Sequence, residues 1–112
     1  MLPPAYRMRR SDDFTSVLRA GVRSRRGSVV VHLSRDLTAG APPQVGLIVG
    51  RSVGGSVVRH RVARRLRGQL AGRLTTLPEG SGVVVRALPD AAEATSARLG
   101  ADLDAAFDRL LR

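Results

Sequence analysis

The chain has 112 residues, the size of one domain, and hydrophobic residues make up 43% of it, enough for one ordinary core. Its 19 basic residues are all arginine and stand against nine acidic residues, so the net charge is +10 and a polyanionic partner is expected. The aromatic residues are Tyr6, Phe14 and Phe107, too few for a protein that stacks successive bases on rows of rings.

Several absences narrow the class of protein further. There is no cysteine, which excludes a disulfide framework, a thiolate nucleophile and a zinc site with cysteine ligands. No apolar run approaches the length that spans a membrane, and residues 1–7 lack the long apolar stretch of a secretory signal. We therefore expect a cytoplasmic protein that does not associate with membranes.

The first quarter of the chain predicts a basic lead-in and a helix. Residues 1–10 hold two prolines and three arginines, which favours an extended segment. Ser11 is predicted to cap a short amphipathic helix with Asp12 and Asp13 in its first turn, and Gly21 is predicted to close it. The connection that follows is crowded with arginines, namely Arg23, Arg25 and Arg26.

Three strands and two further helices are predicted after this connection. The strands are the short, β-branched segments 28–33, 45–50 and 83–88, and the first two are predicted to pair as neighbours across the turn-rich connector 38–43. A long helix is predicted from about Val57 to Leu74, and Pro89 with Asp90 is predicted to open a terminal helix. The order α-β-β-α-β-α predicts a single domain over residues 1–112, a two-layer α/β sandwich with helices on a small sheet.

The helix over 57–74 carries the most informative pattern, and we call it the arginine helix. A buried stripe recurs every four residues and consists of Val58, Val62, Leu66 and Leu70. The other side carries two basic rows, His60/Arg64/Arg67 and Arg61/Arg65, with Arg59 at the edge of the stripe. No acidic residue lies between Asp36 and Glu79. A solvated helix face usually alternates in sign, so this pattern favours phosphate binding.

The segment around this helix resembles the signature of the bacterial ribonuclease P protein component. The resemblance rests on residues 46–49 followed by residues 53–67, which are similar to the family's usual pattern Val-Gly-x-Ala-Val-x-Arg-Asn-Arg-x-Lys-Arg-x-x-Arg. Residues 6–21 and 84–89 resemble the family's first helix and last strand. Three departures from the family matter: His60 stands for the usual Asn, Ala63 for the usual Lys, and His32 with its neighbouring valines for common aromatic residues.

The resemblance implies a fold like domain 2 of ribosomal protein S5 and a ribonucleoprotein that removes the 5′ leader from precursor tRNA. It implies that the RNA subunit and Mg²⁺ held mainly by RNA perform the cleavage, with one protein bound to each RNA and no catalytic residue or metal site on the protein. Carried over by position, the expected contacts with the RNA subunit are Arg59, His60, Arg61, Arg64, Arg65 and Arg67. The residues expected near a cleft for the 5′ leader are Phe14, Val17, Leu18, Val31 and His32.

Two other classes remain open on the sequence. A general RNA-binding or ribosomal-type protein would share the charge without a preference for precursor tRNA. A self-sufficient nuclease is disfavoured because the acids of the terminal helix, Asp102, Asp104 and Asp108, do not form a cluster suited to two metal ions. For Phe14, Val17 and Leu18, ordinary core packing is an equally good interpretation.

Overall fold

The structure is a computed structural model and describes residues 2–112. Its helices and strands follow one another as α1 (Ser11–Ala20), β1 (Val22–Arg26), β2 (Val29–Ser34), β3 (Gln44–Ile48), α2 (Ser56–Ala71), β4 (Gly82–Ala87) and α3 (Ser96–Leu110). Short 3₁₀ turns occupy Pro4–Tyr6, Leu74–Thr76 and Pro89–Glu93. The α/β sandwich with helices on a small sheet is confirmed, and the arginine helix is α2. None of the helices in residues 2–112 is long and apolar enough to cross a membrane.

One strand escaped the sequence-based prediction, because β1 occupies the arginine-rich stretch expected to be a connection. It is an edge strand in which only Ser24 is buried, so its sequence lacks the apolar alternation that marks a strand. A two-residue turn joins it to β2, with Gly27 in the left-handed region at φ 52°. The element order is therefore α-β-β-β-α-β-α.

The sheet has the strand order β1-β2-β4-β3, so the predicted pairing of strands 28–33 and 45–50 is wrong. β4 lies between them, antiparallel to β2 and parallel to β3. The physical reason is the crossover through α2, which returns the chain beside β3 in parallel and thereby separates β3 from β2.

The two faces of the sheet carry different helices. Val31 and Val85 face α2 and α3, where they join the main core with residues such as Leu66 and Leu103. The opposite face packs against α1 around the buried residue Val84, in a smaller cluster that also contains Met8, Val17 and partly buried Phe14. The glycines Gly46 and Gly82 make this close approach possible, since a Cβ there would collide with Phe14 and Val17 respectively.

Several predicted helix ends shift in the structure. Ser11 is the first residue of α1, and its predicted side-chain cap is not formed. α2 ends at Ala71, and Pro89 and Asp90 lie in a 3₁₀ turn ahead of α3. The cap of α3 is Thr95, whose Oγ1 accepts a hydrogen bond from the Arg98 backbone N–H at 3.1 Å.

The described part of the basic lead-in, residues 2–10, packs against the edge of the sheet. Residues 2–10 contain the 3₁₀ turn Pro4–Tyr6 and a parallel bridge between Arg7 and Val45. The backbone N–H of Met8 donates to the Val45 carbonyl at 2.9 Å, and the side chains of Leu2 and Met8 are buried. The segment therefore covers the free edge of β3. Met1, at the start of the predicted lead-in, is outside the described residues.

Candidate RNA-binding surfaces

The buried stripe predicted for α2 is present, and it fixes which cations face outward. Val62, Leu66 and Leu70 are fully buried against the sheet and α3, and Val58 is half-buried. The predicted row on the other side of the helix is exposed; its members are His60, Arg64 and Arg67. We call these three residues the outer row. Because packing of the stripe sets the rotation of the helix, the outer row points toward solvent and makes no hydrogen bond or ion pair within residues 2–112.

The second basic row is not free in the same way. The guanidinium group of Arg61 donates to the Ala92 carbonyl at 3.0 Å, and that of Arg65 donates to the Ala94 carbonyl at 2.8 Å. Both acceptors lie in the segment between β4 and α3. The prediction that Arg61 and Arg65 project from the polar face is therefore wrong: both are half-buried and tie α2 to this segment.

The beginning of α2 is strongly electropositive. Its N-cap is Gly55, which offers no side-chain acceptor, and no acidic residue lies in the first turn. Arg59 lies half-buried one turn into the helix, and its Nε atom is buried without a hydrogen-bond partner among the described residues. Unneutralised cations and free backbone N–H groups add their potentials at this end of the helix.

The acids of α3 are engaged away from the outer row. The guanidinium group of Arg73, just after α2, donates two hydrogen bonds to the Asp104 carboxylate, Nε–Oδ1 at 2.6 Å and Nη2–Oδ2 at 3.0 Å. This hydrogen bond lowers the pKa of Asp104. Asp108 pairs with Arg112 at 3.1 Å. These carboxylates therefore neutralise Arg73 and Arg112, and none of them pairs with the outer row in residues 2–112.

A second basic surface lies on the face of the sheet that α1 covers only in part. Side chains alternate along each strand, so Arg23 and Arg25 of β1, His32 of β2 and Arg86 of β4 share the face of Val84. The three arginines are exposed, and a cavity of about 330 Å³ lies between Arg23, Arg25 and half-buried Val30. We call this surface the open sheet face.

His32 is the buried centre of the open sheet face. Its side chain is 7% exposed, and its Nε2 atom has no hydrogen-bond partner in the described part of the chain. Burial lowers the pKa of His32, and the positive charges of Arg86 and Arg23 lower it further. The charged imidazolium form of His32 is therefore disfavoured among these cations.

Two of the residues predicted for a leader cleft lie in the interior of the protein. Val31 points to the opposite side of the sheet and is fully buried against α2 and α3, because strand alternation separates it from His32. Val17 is the buried residue of α1 and packs against Val84 of the sheet, so ordinary core packing describes it. Phe14 and Leu18 are half-buried on α1 beside the open sheet face. The three arginines of that face were not among the residues predicted for the cleft; for Arg23 and Arg25 the available signal was their period-2 spacing.

The residues of these surfaces do not suit a divalent metal ion. No group of three His, Asp or Glu residues lies close enough to hold a metal in residues 2–112. The outer row and the open sheet face consist of arginine and histidine, which repel a cation unless RNA phosphates stand between them. Their chemistry is instead that of charge-assisted hydrogen bonds to phosphate oxygens.

The fold and its two basic surfaces define a small α/β RNA-binding protein. The Ribonuclease P family model matches residues 2–111. The chain is 52% identical over 111 residues to the ribonuclease P protein component of Acidothermus cellulolyticus, covering 99% of this chain and 89% of that protein. It is 50% identical over 109 residues to that of a Mycobacterium species, strain KMS, covering 97% and 92%.

Solved structures show the same fold. The RNase P protein of Staphylococcus aureus superimposes with a TM-score of 0.81 at 19% identity, covering 94% of each chain. That of Thermotoga maritima gives a TM-score of 0.77 at 19% identity, covering 94% of this chain and 97% of the other.

The chain belongs to the ribonuclease P protein family. Its role is that of the protein subunit of ribonuclease P, the endoribonuclease complex that matures the 5′ end of tRNA and in which RNA performs the catalysis. Its partner is the ribonuclease P RNA. The two alternatives that the sequence left open, a general RNA-binding protein and a self-sufficient nuclease, are thereby set aside.

Proposed function

We propose that the outer row of α2 is the surface that binds the RNA subunit. The observation that carries this proposal is charge: His60, Arg64 and Arg67 are exposed on one helix face, make no intramolecular bond among the described residues and have no acid opposite them. A domain that leaves such a row unneutralised repels itself until a polyanion binds. Arg61 and Arg65 keep N–H groups beyond the one each donates to a carbonyl, so they can add phosphate contacts at the margin.

We propose further that the open sheet face holds the 5′ leader of precursor tRNA. An extended strand of RNA fits a flat sheet surface whose exposed cations, Arg23, Arg25 and Arg86, surround a half-buried apolar area. With few aromatic residues available, recognition rests on backbone charge and shape, and base preference is weak. Phe14, Leu18 and His32 border this path. One protein serves each RNA subunit, and Mg²⁺ is held mainly by RNA.

Two arginines adjacent on β1 provide a matched test of the leader path. Arg25 pairs with Val30 and faces the open sheet face, whereas Arg26 pairs with Val29 and faces the other side; both are exposed. Holoenzymes carrying Arg25→Ala or Arg26→Ala are assayed for binding to precursor tRNAs whose leaders lengthen from one to several nucleotides. We expect the gain in affinity with leader length to shrink in Arg25→Ala and to stay at the unmodified level in Arg26→Ala.

The result that contradicts the leader path is equally clear. If the affinities of the two variants depend identically on leader length, the leader does not bind preferentially on the open sheet face, and the proposed leader site is wrong. RNA subunit alone is the reference for leader dependence that owes nothing to the protein.

A further inference from the structure

A cavity of about 300 Å³ lies between the end of β3 and the outer side of α2. Its apolar wall consists of Leu47, Val49 and Ala63. The remaining lining is cationic or polar and consists of Arg59, His60 and Arg67. The volume is at the lower end of pockets that hold small molecules, and the mixture of an apolar wall with a few convergent polar groups is typical of them.

The lining of this cavity favours an anionic ligand that also has an apolar part. None of its lining residues is acidic. Arg59 brings a buried Nε donor that has no hydrogen-bond partner in residues 2–112, and an unsatisfied buried donor is costly unless a ligand completes it. Ala63 is buried on α2, and its single methyl group leaves the space beside Leu47 and Val49 open.

The cavity continues around the edge of β3. Leu47 and Arg67 also line a second cavity, of about 210 Å³, whose other walls include Arg7 and the ring of Phe14. The two cavities are therefore neighbours that run from the outer row of α2 toward the side of α1. A chain of linked anionic units fits this arrangement better than an isolated ion does.

We propose that the cavity between β3 and α2 receives one unpaired nucleotide of the RNA subunit. Its base lies against Leu47, Val49 and Ala63, where arginine guanidinium planes can stack on it, and its phosphates meet Arg59 and Arg67. The RNA subunit is the source because the cations of the cavity belong to α2; this step rests on the proposed function of the outer row. The second cavity directs the adjoining nucleotide toward Arg7.

The test fills the cavity without changing any charge. Ala63→Leu adds apolar atoms in the space assigned to the base, and Ala105→Leu, on the exposed side of α3, is the matched control. Because a base contact of this kind is worth about 1–3 kcal/mol, we expect Ala63→Leu to weaken RNA-subunit binding roughly 5- to 150-fold. The dependence of affinity on salt concentration falls by no more than the contribution of that nucleotide's own phosphates, since the substitution changes no charge. The control binds as the unmodified protein does.

The outcomes separate this inference from the function of the outer row. Unmodified affinity in Ala63→Leu overturns the nucleotide site, while Arg64→Ala, which lies outside the cavity, reports on the outer row independently. A loss confined to precursor tRNA binding by the assembled holoenzyme overturns the assignment to the RNA subunit.

A titration of the unmodified protein keeps the inference testable if Ala63→Leu does not fold. Adenosine 5′-monophosphate and ribose 5-phosphate are added separately while the methyl resonances of Leu47, Val49 and Ala63 are followed by NMR. We expect these resonances to move with adenosine 5′-monophosphate and far less with ribose 5-phosphate. Equal responses to the two compounds would show that the base is not bound and would overturn the proposal.

Discussion

The Asp102 carboxylate of α3 accepts a hydrogen bond from the backbone N–H of Ser28, 74 residues earlier in the chain, at 3.0 Å. Both residues are buried, and the carboxylate lies so close to Gly27 that a Cβ there would collide with it. This hydrogen bond therefore holds the turn between β1 and β2 against α3. Since β1 carries Arg23 and Arg25, this bond fixes the border of the open sheet face.

We predict that Asp102→Ala destabilises the protein by about 1–3 kcal/mol, because it leaves the buried Ser28 N–H without an acceptor. Asp102→Asn keeps an oxygen at the same place and costs less. Arg98→Ala removes the partner that reaches Asp102 at 3.2 Å from an exposed position and costs at most about 1 kcal/mol. Urea unfolding of the three variants measures the differences, and equal losses in Asp102→Ala and Asp102→Asn would contradict the role of the bond.

The second prediction concerns Arg61 and Arg65, where the structure reverses an argument from charge alone. Removal of a like-charge pair four residues apart relieves only about 0.2–0.5 kcal/mol. Each guanidinium–carbonyl bond to Ala92 or Ala94 is worth about 1 kcal/mol. We therefore expect the double variant Arg61→Ala, Arg65→Ala to lose stability in thermal or urea unfolding.

Arg64→Ala is the control for this experiment, because it removes the same charge from an exposed position on the same helix. We expect its free energy of unfolding to change by less than about 0.5 kcal/mol. A gain in stability by the double variant would show that repulsion outweighs the two bonds.

The third prediction follows from the lowered pKa of His32. Burial and the charges of Arg86 and Arg23 disfavour the imidazolium in the folded protein, so the unfolded chain binds more protons as pH falls. Stability is therefore retained above the ordinary histidine pKa of about 6.5 and is lost as pH falls toward the lower folded value. His32→Gln has no such proton to bind, so the unmodified protein loses stability relative to it between pH 7 and pH 5. Parallel pH dependence of urea unfolding would contradict this.

The parts of the fold that sequence analysis predicted are those in which one side chain pattern dominates. The stripe through Val62, Leu66 and Leu70 is a repeated apolar spacing, and it is buried as expected. Local pattern also located β2, β3 and β4 to within a residue or two.

The parts that it missed depend on partners distant in the chain. β1 is held by pairing to β2 and by the Asp102 bond to its turn, neither of which leaves an apolar signature in residues 22–26. The same holds for the bonds of Arg61 and Arg65, whose acceptors are backbone carbonyls 31 and 29 residues away. Every residue has a backbone carbonyl, so no sequence motif shows which carbonyls accept the hydrogen bonds of these two arginines. The assignment of Val31 failed because one residue of strand register reverses the face.

The fourth prediction tests whether the outer row contacts RNA phosphates, by measuring how the affinity for RNA depends on salt concentration. Removing one arginine–phosphate pair should lower the slope of log affinity against log salt by roughly 0.7 to 0.9, because fewer counterions are released on binding. We expect Arg64→Ala to show this reduced slope and a weaker affinity for the RNA subunit, with its unfolding free energy nearly unchanged. Arg109→Ala, which replaces another exposed arginine on α3, removes the same charge from a different helix and should leave the slope intact. Long-range charge alone would affect the two variants alike, whereas direct contact separates them. If the two slopes fall equally, α2 is not the surface that meets the RNA.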